Sequence, residues 1–327
     1  LVADTIVRTV AEMPESGKLG LVDRIELFSG GCASNAAIDM ARLGLSVAII
    51  GKTGRDGFGG FLAGVLRDAG VDAKGLVSDG GASTSASVAL IEAGGERSFL
   101  HSYGANGLFS IGDVDFGVIA ESRVVFVAGA MLMPTFDGGQ CAELLRRAKG
   151  MGKMTVLDTA WDAKGRWMDL LRPCMGHIDL FMPSVDEARM LSGENEPESM
   201  ADAFLAMGVG TAVIKLGGDG CLIKGEGARS ALVCPTYSQY KAVDTTGAGD
   251  SFVSGFLTGL SKGWDMARCA VLANAVGTHC VMHPGSSTGI RGFADTVSFI
   301  EGHEVPAVRH ADGSTYAPAS GVWDWGA

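Results

Sequence analysis

The stretch VDTTGAGDSF, residues 243–252, sets three small residues, Gly247, Ala248 and Gly249, directly ahead of an acid, Asp250. Residues 251–263, SFVSGFLTGLSKG, follow with small and apolar side chains at helical spacing, so the turn opens a helix. Helix N-termini leave backbone N–H groups unpaired and carry partial positive charge, so they attract anions. Residues this small let an anion approach the backbone closely. A carboxylate beside a bound phosphate repels it and does nothing to hold it. It makes sense as a base that takes a proton from a hydroxyl attacking phosphorus, a role that contributes about 10²–10⁴ in rate. The plainer reading is a glycine turn with Asp250 as a helix-capping acid.

Outward from this turn, short apolar runs alternate with helical patterns. SVAII (46–50) precedes GFLAGVLRDAG (60–70), RVVFVAGA (123–130) precedes CAELLRRAKGMG (141–152), and MTVLD (154–158) precedes an amphipathic run near 163–172. DLFMPS (179–184) precedes VDEARMLSG (185–193), and TAVIKLG (211–217) leads to GCLIKG (220–225). Strands apolar throughout suit a parallel sheet covered on both faces. Repeated βα units predict an α/β class, a doubly wound, mostly parallel sheet flanked by helices. Two stretches break the rhythm. VDRIELFSGG (22–31) and SASVALIEAGGERSFLHSYGAN (85–106) read as strands with alternating polar positions, the second a hairpin turning at Gly94-Gly95. They predict a small β-sheet lid, from about 5–30 and 85–106, inserted into a domain spanning 1–302. Residues 303–327 have little periodicity and read as an irregular C-terminal extension.

The chain of 327 residues carries a formal net charge of −11, which argues against nucleic acid or an anionic membrane as partner. No apolar run reaches the length of a membrane-spanning helix. Seven scattered cysteines without a C-x-x-C pair fit reduced thiols and a cytoplasmic location. The six histidines form no zinc-ligand spacing.

A second motif, SGGCASNAAIDMARLG (29–44), joins paired glycines and Asn35 to a helix closed by Gly44. Glycines admit a ligand to the backbone, and Asn35 offers both a donor and an acceptor to hydroxyl groups. Taken alone, it reads equally well as a strand–turn–helix junction.

Together the two motifs bring a resemblance. GGCASNAA (30–37) resembles the N-terminal Gly-Gly signature of the PfkB carbohydrate kinases, the ribokinase-like kinases, and DTTGAGDSF (244–252) resembles their C-terminal signature. The similarity runs from LVADTIVR (1–8) to SFIEG (298–302) and implies a ribokinase-like fold, with a first strand that begins ahead of Leu1. It implies that Asp250 is the catalytic base and that the amides of Gly247, Ala248 and Gly249 form an anion hole. Asp4, Gly30, Gly31 and Asn35 match substrate contacts. KLGGDG (215–220) resembles the glycine turn near the ATP phosphates, with Lys215, Gly217 and Gly220; Lys215 reads equally as a surface charge at a strand end. Asn274, in LANAVGTHCVMHPGS (272–286), falls near adenine. Asp244, Thr246 and Gly285 match a monovalent-cation site that potassium occupies in several relatives.

The family's N-x-x-E motif, linked to magnesium, appears here as PSVDEA (183–188), with Ser184 in place of Asn and Glu187 retained. Magnesium dependence then rests on ATP itself and, indirectly, on Glu187. LDTAW (157–161) stands where many relatives have Asp-Pro-Asn, with Asp158 kept at the strand end. GKT (51–53) lacks the upstream glycine of a P-loop, and no well-placed G-x-G-x-x-G follows a strand. GAMLMP (129–134) reads as core filler, and Glu96-Arg97 as either a solvated turn pair or a substrate gate.

The expectation is an ATP-dependent, magnesium-dependent kinase that phosphorylates a hydroxymethyl group of a sugar or sugar-like substrate. The alternatives are an adenosine-type nucleoside kinase, with Phe99, His101 and Tyr103 alternating along a lid strand as a stacking face, and a catalytically silent sugar-binding protein. The segments 22–31 and 85–106 show only Arg24 and Arg97 as basic residues and no basic cluster, against a phosphosugar. Exposed lid strands imply a homodimer through the lid.

Overall fold

The computed structural model describes the chain except residues 11, 93, 95, 306, 317–322, 324, 326 and 327, and the side chain of Arg97. Its strands are β1 (Val2–Val10), β2 (Arg24–Gly30), β3 (Ala48–Gly54), β4 (Asp72–Asp79), β5 (Ala86–Glu92), β6 (Arg97–Ser102) and β7 (Val124–Ala130). After these come β8 (Met154–Thr159), β9 (Leu180–Phe181), β10 (Thr211–Lys215), β11 (Cys221–Gly225), β12 (Leu232–Cys234) and β13 (Arg309–His310). The α-helices are α1 (Cys32–Arg42), α2 (Gly57–Asp68), α3 (Phe116–Glu121), α4 (Gly139–Gly150), α5 (Trp167–Leu171) and α6 (Val185–Ser192). They continue with α7 (Pro197–Ala206), α8 (Ala248–Ser261), α9 (Met266–Val281) and α10 (Phe293–Glu301).

The main sheet runs in the order β13-β12-β11-β10-β9-β8-β7, parallel from β7 to β10 and antiparallel beyond. Its strands are apolar at consecutive positions because both faces are covered, and successive side chains point to opposite faces. Val156, Leu180 and Val213 pack on one side with Phe252, Phe256 and Leu272 of α8 and α9. Their neighbours Leu157, Phe181 and Ile214 pack on the other with Leu145, Leu191 and Phe204 of α4, α6 and α7. This is the doubly wound ribokinase-like α/β fold expected from the sequence. The pair β3–β4 forms its own parallel two-stranded sheet, and an apolar cavity of about 420 Å³ lies between β3 and β7.

The helical run near 163–172 is shorter than its pattern suggested. Asp162 accepts the N–H groups of Arg166 and Trp167, α5 lasts five residues, and a 3₁₀ turn containing Pro173 takes over at Arg172. The segment after Gly302 contributes β13 to the edge of the main sheet, and Trp325 is buried against Trp264.

The smaller sheet has the order β2-β1-β5-β6, with β1 antiparallel to β2 and parallel to β5. Its register sets Phe28, Asp4, Ser87 and His101 side by side across four strands, hence on one face. Phe99 shares that face two residues along β6. Of the hairpin turn at Gly94-Gly95, Gly95 lies outside the described residues, as does the side chain of Arg97.

Candidate active site

Gly247 caps α8 in the left-handed region, φ 78°, and Asp250 falls in the first turn. A Cβ on Gly247 would meet Ser286 at 2.5 Å, so both the backbone angle and the packing require glycine here. The Ala248 N–H donates to the Thr245 carbonyl at 3.2 Å. Among the described residues no carbonyl takes the amides of Gly247 or Gly249. Of the three amides expected to form an anion hole, those of Gly247 and Gly249 are open, and that of Ala248 is taken by the turn itself.

Asp250 points inward. Its Oδ2 accepts a hydrogen bond from Asn35 Nδ2 at 2.8 Å, joining α8 to the first turn of α1. Burial raises its pKa from the ordinary carboxylate value, while the Asn35 bond, the Lys215 ammonium and the Cys32 thiol oppose that rise. The Asn35 Oδ1 in turn accepts from Ser286 Oγ at 2.9 Å. The next residue, Ser251, donates to buried Asp39, whose carboxyl burial pushes up to about 7.

Lys215 is no surface charge. Its Nζ lies 2.7 Å from each oxygen of Asp158, and about 3.3 Å from where a Cβ on Gly249 would sit. The ammonium thus lies beside the turn that opens α8. Burial works against its charge, but the carboxylates of Asp158, Glu187 and Asp250 outweigh this and hold the lysine protonated. Glu187 closes a capping box on α6: its Oε2 accepts the Ser184 N–H at 3.0 Å and the Thr159 hydroxyl at 2.9 Å. Ser184 thus fills the helix-capping place.

In the smaller sheet, Asp4 lies within β1, and a Cβ on Gly30 would overlap its carboxylate. Burial raises Asp4 above its ordinary range, with Ser87 opposing through a hydrogen bond. Gly31 caps α1 at φ 86°. Ser87 also meets His101 Nδ1 at 2.9 Å, so Asp4, Ser87 and His101 form a polar row.

Gly217 and Gly220, expected beside the nucleotide, shape the β10–β11 turn, and Gly220 leaves no room for a side chain against the Cys234 carbonyl. Asn274, expected near adenine, has its amide nitrogen taken by the backbone. Only 4% exposed, its amide donates to the carbonyls of Cys234 and Pro235, fixing the chain that leaves β12. Burial in α9 requires its amide to be satisfied locally.

Asp244, Thr246 and Gly285 are brought together. Asp244 Oδ1 accepts from the Thr246 N–H and hydroxyl at 3.0 and 2.7 Å, and Oδ2 from the Gly285 N–H at 3.0 Å. Among the described residues no group of three His, Cys, Asp or Glu is arranged to hold a metal ion. The donors near the turn, Glu187 and the Lys215-bound Asp158, are no preformed cage; they fit a magnesium ion that arrives on phosphates with part of its water shell.

Four participants carried no signal of their own in the sequence: the Cys32 thiol, the pairing of Asp158 with Lys215, Asp39 and Ser286. Cys32 and Asp39 lie inside the second motif, where no rule singled them out. Ser286 belongs to a loop without periodicity.

Among the described residues no helix is long and apolar enough to cross a membrane. Residues 1–291 match the model of the pfkB family of carbohydrate kinases. The chain is 28% identical over 251 residues to an uncharacterized sugar kinase of Archaeoglobus fulgidus, covering 77% of this chain and 97% of that one. It is 28% identical over 287 residues to the aminoimidazole riboside kinase of Salmonella typhimurium, covering 84% and 89%. The crystal structure of ribokinase from Thermotoga maritima superposes with a TM-score of 0.79 at 22% identity, over 91% of this chain and 96% of that one. The chain belongs to the pfkB carbohydrate kinase family, and is an ATP-dependent phosphotransferase acting on a sugar or nucleoside alcohol.

Proposed function

We propose that the protein transfers the γ-phosphate of ATP to a hydroxymethyl group of a sugar, with Asp250 as the base. The observation that carries this reading is the inward carboxylate of Asp250, held by Asn35 one turn from the open amides of Gly247 and Gly249. Phosphoryl transfer requires mainly positioning and charge stabilisation. The substrate hydroxyl lies between Asp250 and the lid face, where Asp4, Ser87 and His101 offer acceptors and donors for the sugar's other hydroxyls. Gly30 and Gly31 admit it to the backbone. As the hydroxyl attacks, Asp250 takes its proton, and the Gly247 and Gly249 amides with the Lys215 ammonium meet the charge on the transferring group. Magnesium, when bound with ATP, neutralises phosphate charge. The Gly217–Gly220 turn borders the nucleotide, and Asn274 supports the chain beside it. Asp244, Thr246 and Gly285 form the loop that takes a potassium ion.

A second reading, a nucleoside 5′-hydroxyl as acceptor, is favoured by Phe99, whose exposed ring shares the lid face with Asp4 and could stack on a base. The opposite lid face carries Ile25, Leu27 and Leu100, all exposed, and we assign it to a second copy of the chain.

ADP release from Mg-ATP, measured with ribose, fructose and adenosine in turn, tests the assignment. Turnover with a free sugar supports the first reading and turnover with adenosine alone the second. Release independent of every acceptor contradicts both.

A further inference from the structure

Asn35 has two chemically different ends. Its oxygen only accepts, its NH₂ only donates, and the carboxylate of Asp250 only accepts. Turned the other way, the amide would set its oxygen against the Asp250 carboxylate and lose that bond, so the carboxylate fixes which end of the amide faces it. The other end of the amide is held by the Ser286 hydroxyl, which donates to Oδ1 at 2.9 Å. Asn35 Nδ2 then lies 2.8 Å from Asp250 Oδ2.

Ser286 is itself held on several sides. It belongs to the loop between α9 and α10, its Cβ packs against Gly247 at the mouth of α8, and its carbonyl accepts the Cys280 thiol at 3.2 Å. Its neighbour Gly285 is tied to Asp244 through the backbone N–H. The hydroxyl that holds the far end of Asn35 is therefore anchored to the same turn that carries Asp250.

We propose that Ser286 is a positioning residue for the phosphoryl-transfer step. Its hydroxyl fixes the Asn35 amide, the amide engages Oδ2 of Asp250, and Oδ1 is left to take the proton of the acceptor hydroxyl. Ser286 touches neither substrate nor nucleotide and acts through Asn35. The proposal rests on the kinase reading above only for its kinetic consequence; the orientation of Asn35 is a property of the protein alone.

The test is a double-mutant cycle on Ser286→Ala and Asn35→Ala, read as ADP release from Mg-ATP with whichever of ribose, fructose or adenosine the wild type turns over. Ser286→Ala is expected to lower kcat about five- to tenfold, the scale of one lost hydrogen bond, with KM for ATP and acceptor within about twofold. In the Asn35→Ala background the same change is expected to cost nothing further, because the relay is already cut. An equal cost in both backgrounds, or a raised KM with kcat unchanged, overturns the proposal. A second readout is independent of turnover. In protein labelled with ¹⁵N-asparagine, the Asn35 side-chain NH₂ pair, identified by its loss in Asn35→Ala, is expected to shift and broaden in Ser286→Ala. If the wild type turns over none of the three acceptors, the functional reading is what has failed, and this NMR pair alone decides. An unchanged pair in Ser286→Ala overturns the positioning role.

Discussion

Lys215 holds Asp158 through both carboxylate oxygens, each 2.7 Å from its ammonium, and does so beside the turn that opens α8. A buried pair of this kind is costly to break from one side, because the abandoned partner stays charged and unpaired. Replacing both partners by apolar groups costs far less. Lys215→Met is expected to destabilise the protein by about 3–5 kcal/mol in urea unfolding. The double variant Lys215→Met/Asp158→Leu is expected to regain most of that stability while turnover stays low. Recovery of wild-type turnover by the double variant would assign the pair to folding alone and remove Lys215 from the phosphoryl site.

The Asp4 carboxylate fills the space that a side chain on Gly30 would need. Gly30→Ala should push Asp4 away from the lid face while leaving the nucleotide side untouched. The expected result is a rise of about tenfold or more in KM for the sugar, with KM for ATP within about twofold. Unchanged sugar affinity would take Asp4 out of substrate binding.

His279 is fully buried in α9, and among the described residues neither ring nitrogen has a hydrogen-bond partner. Burial, with Arg291 and His283 adding to it, lowers its pKa to about 4 from an ordinary 6.5. The unfolded chain therefore binds a proton at this residue between about pH 6.5 and 4 that the folded protein does not, and stability falls as pH drops through that window. His279→Leu should flatten this part of the profile, making the variant gain on wild type by about 3 kcal/mol between pH 7 and 4. Parallel stability–pH curves for the two proteins would contradict the assignment. The comparison must be made as a difference, because Asp39 and Asp137, held up at about 7 and about 6, drive stability the opposite way.

One face of the small sheet exposes Ile25 at 66% and Leu100 at 64%, on its two edge strands β2 and β6. Light scattering on the wild type is expected to give a dimer, and Leu100→Glu a monomer with its fold intact. A wild type that is monomeric at micromolar concentration would contradict the lid interface.

Much of this architecture was legible in the sequence, for local reasons. The strands announce themselves as apolar runs because each residue of Val156-Leu157 or Ala212-Val213-Ile214 meets a covered face. Gly247-Ala248-Gly249-Asp250 reads as the opening of a helix because backbone angle and helix spacing are both written within ten residues. What escaped depends on segments that meet only when folded. Asn35 and Asp250 are 215 positions apart, Ser286 and Asn35 251, and Lys215 and Asp158 57. No local pattern encodes those pairings. The bonding of Asn274 escaped because a helical asparagine can turn its amide toward a ligand or toward a strand end, and only the packing of α9 beside β12 decides which. Ala248 was counted as an open donor because the bend that turns its N–H to Thr245 is a matter of backbone angles, not of composition.

The central claim is that Asp250 removes the proton from the acceptor alcohol. Burial raises its pKa, so the acid limb of kcat/KM should lie above the ordinary carboxylate range, with activity lost as pH falls through it. The most direct measurement is steady-state turnover of Asp250→Asn, a variant that keeps the shape and the Asn35 contact but cannot accept the proton. A fall in kcat of about 10²–10⁴, with KM for ATP and acceptor little changed, is the expected result; turnover equal to wild type would contradict it.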